Sequence, residues 1–227
     1  MNRALTVLTC LLGLSLIACQ PEQDMSAESA EETVSSEVAA TPTPQVAQTT
    51  TQASLLSEPN WAILFAGHDL SSFNIVGDAE WNIVDDYVEA SGDFRSYLVT
   101  KGYYTDFLLQ AEFWPSTGTN SGIFIRNDSP DVINASGGYE INIRDINEEN
   151  PQNQTGSIVN HVPPSTNILT EEKWNNYEIR AEGNRIVAQV NGVITADAEL
   201  NAHQSGPIAF QLNGGHIRFR NIRIRPL

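Results

Sequence analysis

The feature that most constrains this chain is an alternation of apolar and polar residues with a period of two. It runs through Trp81-Asn82-Ile83, Tyr104–Phe113, Gly122–Arg126, Tyr139–Arg144, Asn176–Arg180, Arg185–Val190, Pro207–Leu212 and Ile217–Ile224. Successive side chains of a strand point to opposite faces, so such runs form half-buried strands rather than helices. Turn residues separate them: Gly183-Asn184, Asn191-Gly192 and Asn213-Gly214-Gly215. No stretch combines a helical period with caps. Many short strands at this spacing predict an all-β fold, a sandwich or jelly roll of two antiparallel sheets.

Parity assigns the faces. Ile123, Ile125, Ile141, Ile143, Ile208, Phe210, Leu212, Ile217 and Phe219 share the apolar set. The opposite set holds Arg126, Glu140, Asn142, Arg144 and Gln211, with His216 at the start of the last strand. Beyond Asn221 the apolar parity switches to Ile222 and Ile224, which requires a bulge or an inward arginine. One aliphatic face builds the core between the sheets, and the other is expected to form a polar groove.

The rest of the chain is read by composition. There are 28 acidic and 12 basic side chains among 227 residues, a formal charge of −16. A nucleic-acid binder needs clustered Lys and Arg, so that partner is excluded. The two cysteines, Cys10 and Cys19, cannot form a multi-bridge scaffold or a four-thiolate zinc site. Leu5–Ile17 is an apolar run too short to cross a bilayer comfortably. It leads into Leu16-Ile17-Ala18-Cys19, which is similar to a bacterial lipobox. That resemblance implies a signal peptide over 1–18 and a lipidated Cys19, anchored by acyl chains alone. Gln20 rather than Asp follows the cysteine, which implies sorting to the outer membrane of the bacterial envelope. Residues 19–57 hold Glu22, Asp24, Glu28, Glu31, Glu32 and Glu37 up to Ser57, no Lys or Arg, and Thr41-Pro42-Thr43-Pro44. They read as a tether too poor in apolar surface to fold. The folded domain is expected over 58–227.

Five segments of that domain carry a resemblance. Leu64-Phe65-Ala66-Gly67-His68-Asp69-Leu70 is similar to "LF-x-G-x-DL", and Asn120-Ser121-Gly122-Ile123-Phe124-Ile125-Arg126 to "NSGIF-x-R". Gly138-Tyr139-Glu140-Ile141-Asn142-Ile143-Arg144-Asp145 is similar to "GYE-x-Q-x-x-D". Trp174–Ile179 matches "WN-x-YEI" and Phe219–Ile222 matches "FRNI". In this order they resemble the 3-keto-disaccharide hydrolase domain family, formerly a domain of unknown function. The resemblance implies a concanavalin-like jelly roll and a hydrolase or lyase that cleaves glycosides oxidised at carbon 3. Three positions depart from the family pattern: Asn142 stands for Gln, Lys173 for Glu and Asn213 for His. If that histidine does chemistry, its loss implies an inactive member or a different substrate.

A ketone at C3 acidifies the C2 hydrogen, so a base can start elimination of the C1 substituent, with water adding back afterwards. The site then needs a base, a cation for the enolate and an acid for the leaving oxygen. The resemblance makes Glu140 the expected base, Arg126 the enolate or sugar clamp, and Asp145 a second carboxylate or metal ligand. Asn142, Arg144, Gln211, His216 and His161 are the expected substrate-binding residues. No cofactor motif occurs. A divalent cation such as calcium suits the enolate role, and Asp145, Asn147 and Glu149 alternate oxygen donors. Asn150 occupies the sixth position where a calcium loop has Gly, so a solvated acidic loop is the default. Glu140-x-Asn142-x-x-Asp145 also resembles the "E-x-D-x-x-E" strand of glycoside hydrolase family 16, a weaker match because two of its carboxylates are replaced or shortened. The partner class is carbohydrate in either case. The alternative to an enzyme is a non-catalytic carbohydrate-binding envelope lipoprotein, with Trp61, Trp81, Trp114 or Trp174 stacking on sugar rings.

Overall fold

The structure, a computed structural model, describes residues 60–227. The expected signal peptide, Cys19 and tether lie outside the described residues. Within them the chain forms thirteen strands and no helix. They are β1 (Ala62–Phe65), β2 (Phe73–Gly77), β3 (Asn82–Val84), β4 (Tyr87–Ser91), β5 (Arg95–Thr100), β6 (Phe107–Pro115) and β7 (Ser121–Ile125). The remainder are β8 (Tyr139–Ile143), β9 (Asn175–Glu182), β10 (Arg185–Val190), β11 (Val193–Glu199), β12 (Ala209–Asn213) and β13 (His216–Pro226).

Two antiparallel sheets result. The larger runs β11-β10-β9-β6-β13-β4-β3, with β1 also on β13, and the smaller runs β2-β5-β12-β7-β8. The turn signals do what their chemistry requires. Asn191 and Gly192 join β10 to β11 with φ of 51° and 80°, as expected of the hairpin turn that needs two left-handed residues. The parity switch near Asn221 is a bulge: the β13–β6 register shifts between Arg220 and Arg223, and Asn221 has φ 51°. The bulge also lets one edge of β13 change partner. Residues 216–219 pair with β4, and 222–224 pair with β1.

The core lies between the sheets. Leu98, Phe210, Ile123 and Ile141 form one continuous row across the smaller sheet, all fully buried. Phe113, Phe219, Ile179 and Ile224 face them from the larger sheet. Trp81 belongs to this core, stacks on Phe219 and donates its indole N–H to Ser96 Oγ at 3.1 Å.

The outer face of the larger sheet carries the arginines of β13, against acids and aromatics. Arg218 bonds Glu89 at 3.0 Å, and Arg220 bonds Glu112 at 2.8 Å and Asp86 at 3.1 Å. Arg218 lies over Trp114, Arg220 over Trp174, and Arg223 and Arg225 over Trp61. A guanidinium therefore covers a face of each of these three tryptophans.

Candidate functional site

Register builds the site on the outer face of the smaller sheet. Pairing of β5, β12, β7 and β8 puts Val99, Ala209, Phe124 and Glu140 in one outward row. The next outward row is Tyr97, Gln211, Gly122 and Asn142, and the third begins with Arg95 and Asn213. Same-face rows lie about 7 Å apart along a strand and neighbouring strands about 4.8 Å apart. Arg144, one residue past β8, extends the third row at its far side.

Gly122 makes the hollow. It lacks a side chain where the second row crosses β7, and the Glu140 carboxyl fills that space. A Cβ at Gly122 would come within 2.9 Å of Glu140 Oε1 and 3.1 Å of its Cγ. The resulting cavity, about 310 Å³, is lined by Arg95, Tyr97, Phe124, Glu140, Asn142, Arg144, Gln211 and Asn213, with asparagines and small residues from the flanking loops. A larger hollow of about 380 Å³ lies by β1 and the Asn221 bulge. It is lined by residues 65–68 and 221–222 of the first and last motifs but by none of the expected site residues, so the groove at Glu140 is the better candidate.

Glu140 is the only acid lining the groove, and no hydrogen bond or ion pair holds its carboxyl among the described residues. Burial raises it to about 7, partly opposed by the positive charge of Arg95. Gln211 donates weakly from Nε2 to the Tyr97 hydroxyl at 3.5 Å, while its Oε1 is buried without a partner. Asn142 is pinned from both sides. Its Nδ2 donates to Asn153 O at 2.6 Å, and the Tyr177 hydroxyl donates to its backbone oxygen at 2.6 Å from the core.

Four of the expected residues thus share the groove: Glu140, Asn142, Arg144 and Gln211. Four do not, which corrects the expectation. Arg126 lies just past the end of β7 with φ 53°, and this breaks the alternation that would have kept it beside Glu140. Its guanidinium is fully buried and bonds Thr105 O, Gly183 O and Asp106, tying β7 to the larger sheet. Asp145 is buried and accepts from Thr155 Oγ1 and Thr170 Oγ1, both at 2.7 Å, and from the backbone N–H of Thr170 and of Glu171. It fastens two loops. His216 stands on the other sheet, where Nε2 meets Glu89 at 2.9 Å and the ring meets Trp114. His161 is exposed, packs on Tyr139 and borders a neighbouring hollow that shares only Asn153 with the groove.

The calcium expectation finds no matching donor set. Asp145 is fully engaged by donors, and Asn147 Oδ1 accepts from Asn150 N at 3.1 Å. Among the described residues no group of three or more His, Cys, Asp or Glu is placed to hold a metal ion. The residue that sequence reasoning missed is Arg95. Its strand reads as a continuous β-prone run, Tyr97-Leu98-Val99-Thr100, in which only the outward alternation of Arg95 and Tyr97 signals the groove.

The model of the 3-keto-alpha-glucoside-1,2-lyase-like domain matches residues 60–225. No curated protein matches the chain. Among solved structures, a candidate glycosyl hydrolase from Parabacteroides distasonis is similar at TM-score 0.65 and 16% identity, covering 80% of this chain and 98% of its own. A second from the same organism gives 0.61 and 25% identity over 74% and 99%. The carbohydrate-binding module CBM66 of Bacillus subtilis gives 0.52 and 13% identity over 68% and 97%, a likeness of fold. The architecture is that of this jelly-roll group.

Proposed function

The chain belongs to the 3-keto-alpha-glucoside-1,2-lyase-like domain family, and from that premise we propose that it cleaves glycosides oxidised at C3, with Glu140 as the base. The observation that carries this reading is the Glu140 carboxyl itself. It lies over Gly122 in a sugar-sized groove, has no protein partner among the described residues, and is raised to about 7 by burial. A base poised near neutrality is what proton abstraction next to a ketone requires.

Glu140 takes the C2 proton, and the C2–H electron pair moves to the C3 oxygen as an enolate. Arg95, whose charge already acts on Glu140, stabilises that oxygen. The enolate then reforms the ketone, a C1–C2 double bond forms, and the C1–O bond breaks. The leaving oxygen takes a proton from Glu140 or solvent. Water adding across C1–C2 completes a net hydrolysis. Gln211 Oε1 and Asn142 are acceptor and amide for the sugar hydroxyls.

The binding-only reading finds less support, since a guanidinium already covers a face of Trp61, Trp114 and Trp174, and Trp81 is in the core. We further place the protein at the bacterial outer membrane through lipidated Cys19, a reading that rests on Leu16-Ile17-Ala18-Cys19. Turnover of 3-keto-glucosides by wild type and Glu140→Gln tests the catalytic reading. Equal rates would overturn the assignment of the base.

A further inference from the structure

The groove carries one cation more than this chemistry uses. Residues 60–227 contain 21 acidic and 11 basic side chains, so carboxylates are plentiful partners for any arginine. Nine of the bases are arginines. Five of these form ion pairs: Arg126, Arg180, Arg185, Arg218 and Arg220. Arg223 and Arg225 lie over Trp61. The two that remain, Arg95 and Arg144, both line the groove of Glu140. Among the described residues the Arg95 guanidinium hydrogen-bonds a neutral partner, Asn213 Oδ1, at 3.3 Å and forms no ion pair. The half-buried Arg144 side chain has no hydrogen bond or ion pair among the described residues.

Chance placement is a poor account of this pattern. Two unpaired arginines of a strongly acidic domain flank one hollow, and their strands are separated by two others, about 14 Å at the usual spacing. Every other lining residue except Glu140 is uncharged. With Glu140 ionised, two cations face one anion. A substrate carboxylate brings the charge to zero. The charge stays at zero as the proton moves, because Glu140 loses its negative charge while the enolate gains one. A neutral glycoside leaves an uncompensated cation throughout.

We propose that the groove selects a carboxylate-bearing 3-keto-glycoside, with Arg144 as the residue that recognises the acid and Arg95 left for the enolate. This rests on the catalytic reading above and narrows its substrate class. The acid sits either on the oxidised ring, as in a uronide, or on the leaving group, and the guanidinium recognises both in the same way.

The test compares three 3-keto-glycosides: one with a ring carboxylate, one with a carboxylate on the aglycone, and a neutral one. One or other acid should exceed the neutral substrate in kcat/KM by about tenfold or more, the range of one charge-assisted bond, and the advantage should shrink with added salt. Arg144→Gln should bring the ratio of acid to neutral towards one, and Arg144→Lys should restore part of it. Affinity of Glu140→Gln for the unoxidised uronide, the unoxidised carboxyphenyl glucoside and the unoxidised neutral glucoside, by calorimetry, reads recognition without turnover. If no 3-keto-glycoside is cleaved but an acid still binds better through Arg144, the catalytic reading falls and acid recognition stands. If the neutral compound is cleaved and bound as well as both acids, acid recognition falls and the catalytic reading stands. Equal binding of all three with no turnover overturns both.

Discussion

Substituting Gly122 by Ala tests the geometry of the site through a residue with no chemistry of its own. The added Cβ would stand 2.9 Å from Glu140 Oε1 and 3.2 Å from Ile141 O, where ordinary contact begins at 3.4 Å. The carboxyl must therefore retreat by at least 3.4 − 2.9 = 0.5 Å. Misplacing a reacting group by about 1 Å costs about a hundredfold in rate, so a loss of about tenfold to a hundredfold in kcat is expected. Stability should barely change. Gly122 has no left-handed φ, so alanine gains about 0.4–1 kcal/mol by restricting the unfolded chain. Crowding against Glu140 and Ile141 costs about 1 kcal/mol. The net is within about 1 kcal/mol, or a Tm change of no more than about 4 °C for a domain of this size. A second readout separates displacement from damage. Pushed towards water, Glu140 loses part of the burial that holds it near 7, so the midpoint of the pH–kcat/KM profile should move down towards 4.5. Steady-state kinetics across pH, with thermal melts, measure both. A well-folded variant with unchanged kcat and unchanged midpoint would refute the claim that Glu140 acts from the hollow over Gly122.

Because the acid of Glu140 is held at about 7 in the folded chain against 4.5 unfolded, its contribution to stability is full below 4.5 and is lost as pH rises to about 7; wild type should lose on the order of 3 kcal/mol relative to Glu140→Gln over that window by urea titration, and a constant difference would contradict it. Asp145→Ala should cost about 3 kcal/mol or more, since four donors lose their acceptor, while kcat/KM of the folded protein stays at the wild-type value; a selective loss of kcat would return Asp145 to the catalytic set. Cys19→Ser should abolish incorporation of labelled fatty acid and release the protein from the membrane fraction, and unchanged labelling would remove the lipid anchor from the account.

The parts of this molecule legible in the sequence are those governed by local alternation. Period two identified the strands that build most of both sheets, and the parity switch after Phe219 located the Asn221 bulge. The same rule put Glu140, Asn142 and Arg144 on the polar side of one segment, and Gln211 on the polar side of another. It failed where its premise failed. Arg126 follows the last strand residue in a left-handed conformation, so counting by twos no longer gave its direction. His216 has the expected alternation, but parity says which face a residue takes and not which sheet its strand joins; pairing with β4 and β6 put it on the larger one. Arg95 became part of the site only through the register of β5 with β12, a contact between residues more than a hundred positions apart.

The most direct test of the central claim is exchange and elimination at C2 of a 3-keto-glycoside in D2O, followed by proton NMR for wild type and Glu140→Gln. The account predicts loss of the C2 proton signal and release of the aglycone by wild type, with both slowed about a hundredfold to ten-thousandfold in the variant, the usual contribution of a positioned base. Loss of the C2 proton at the same rate in both proteins would contradict it.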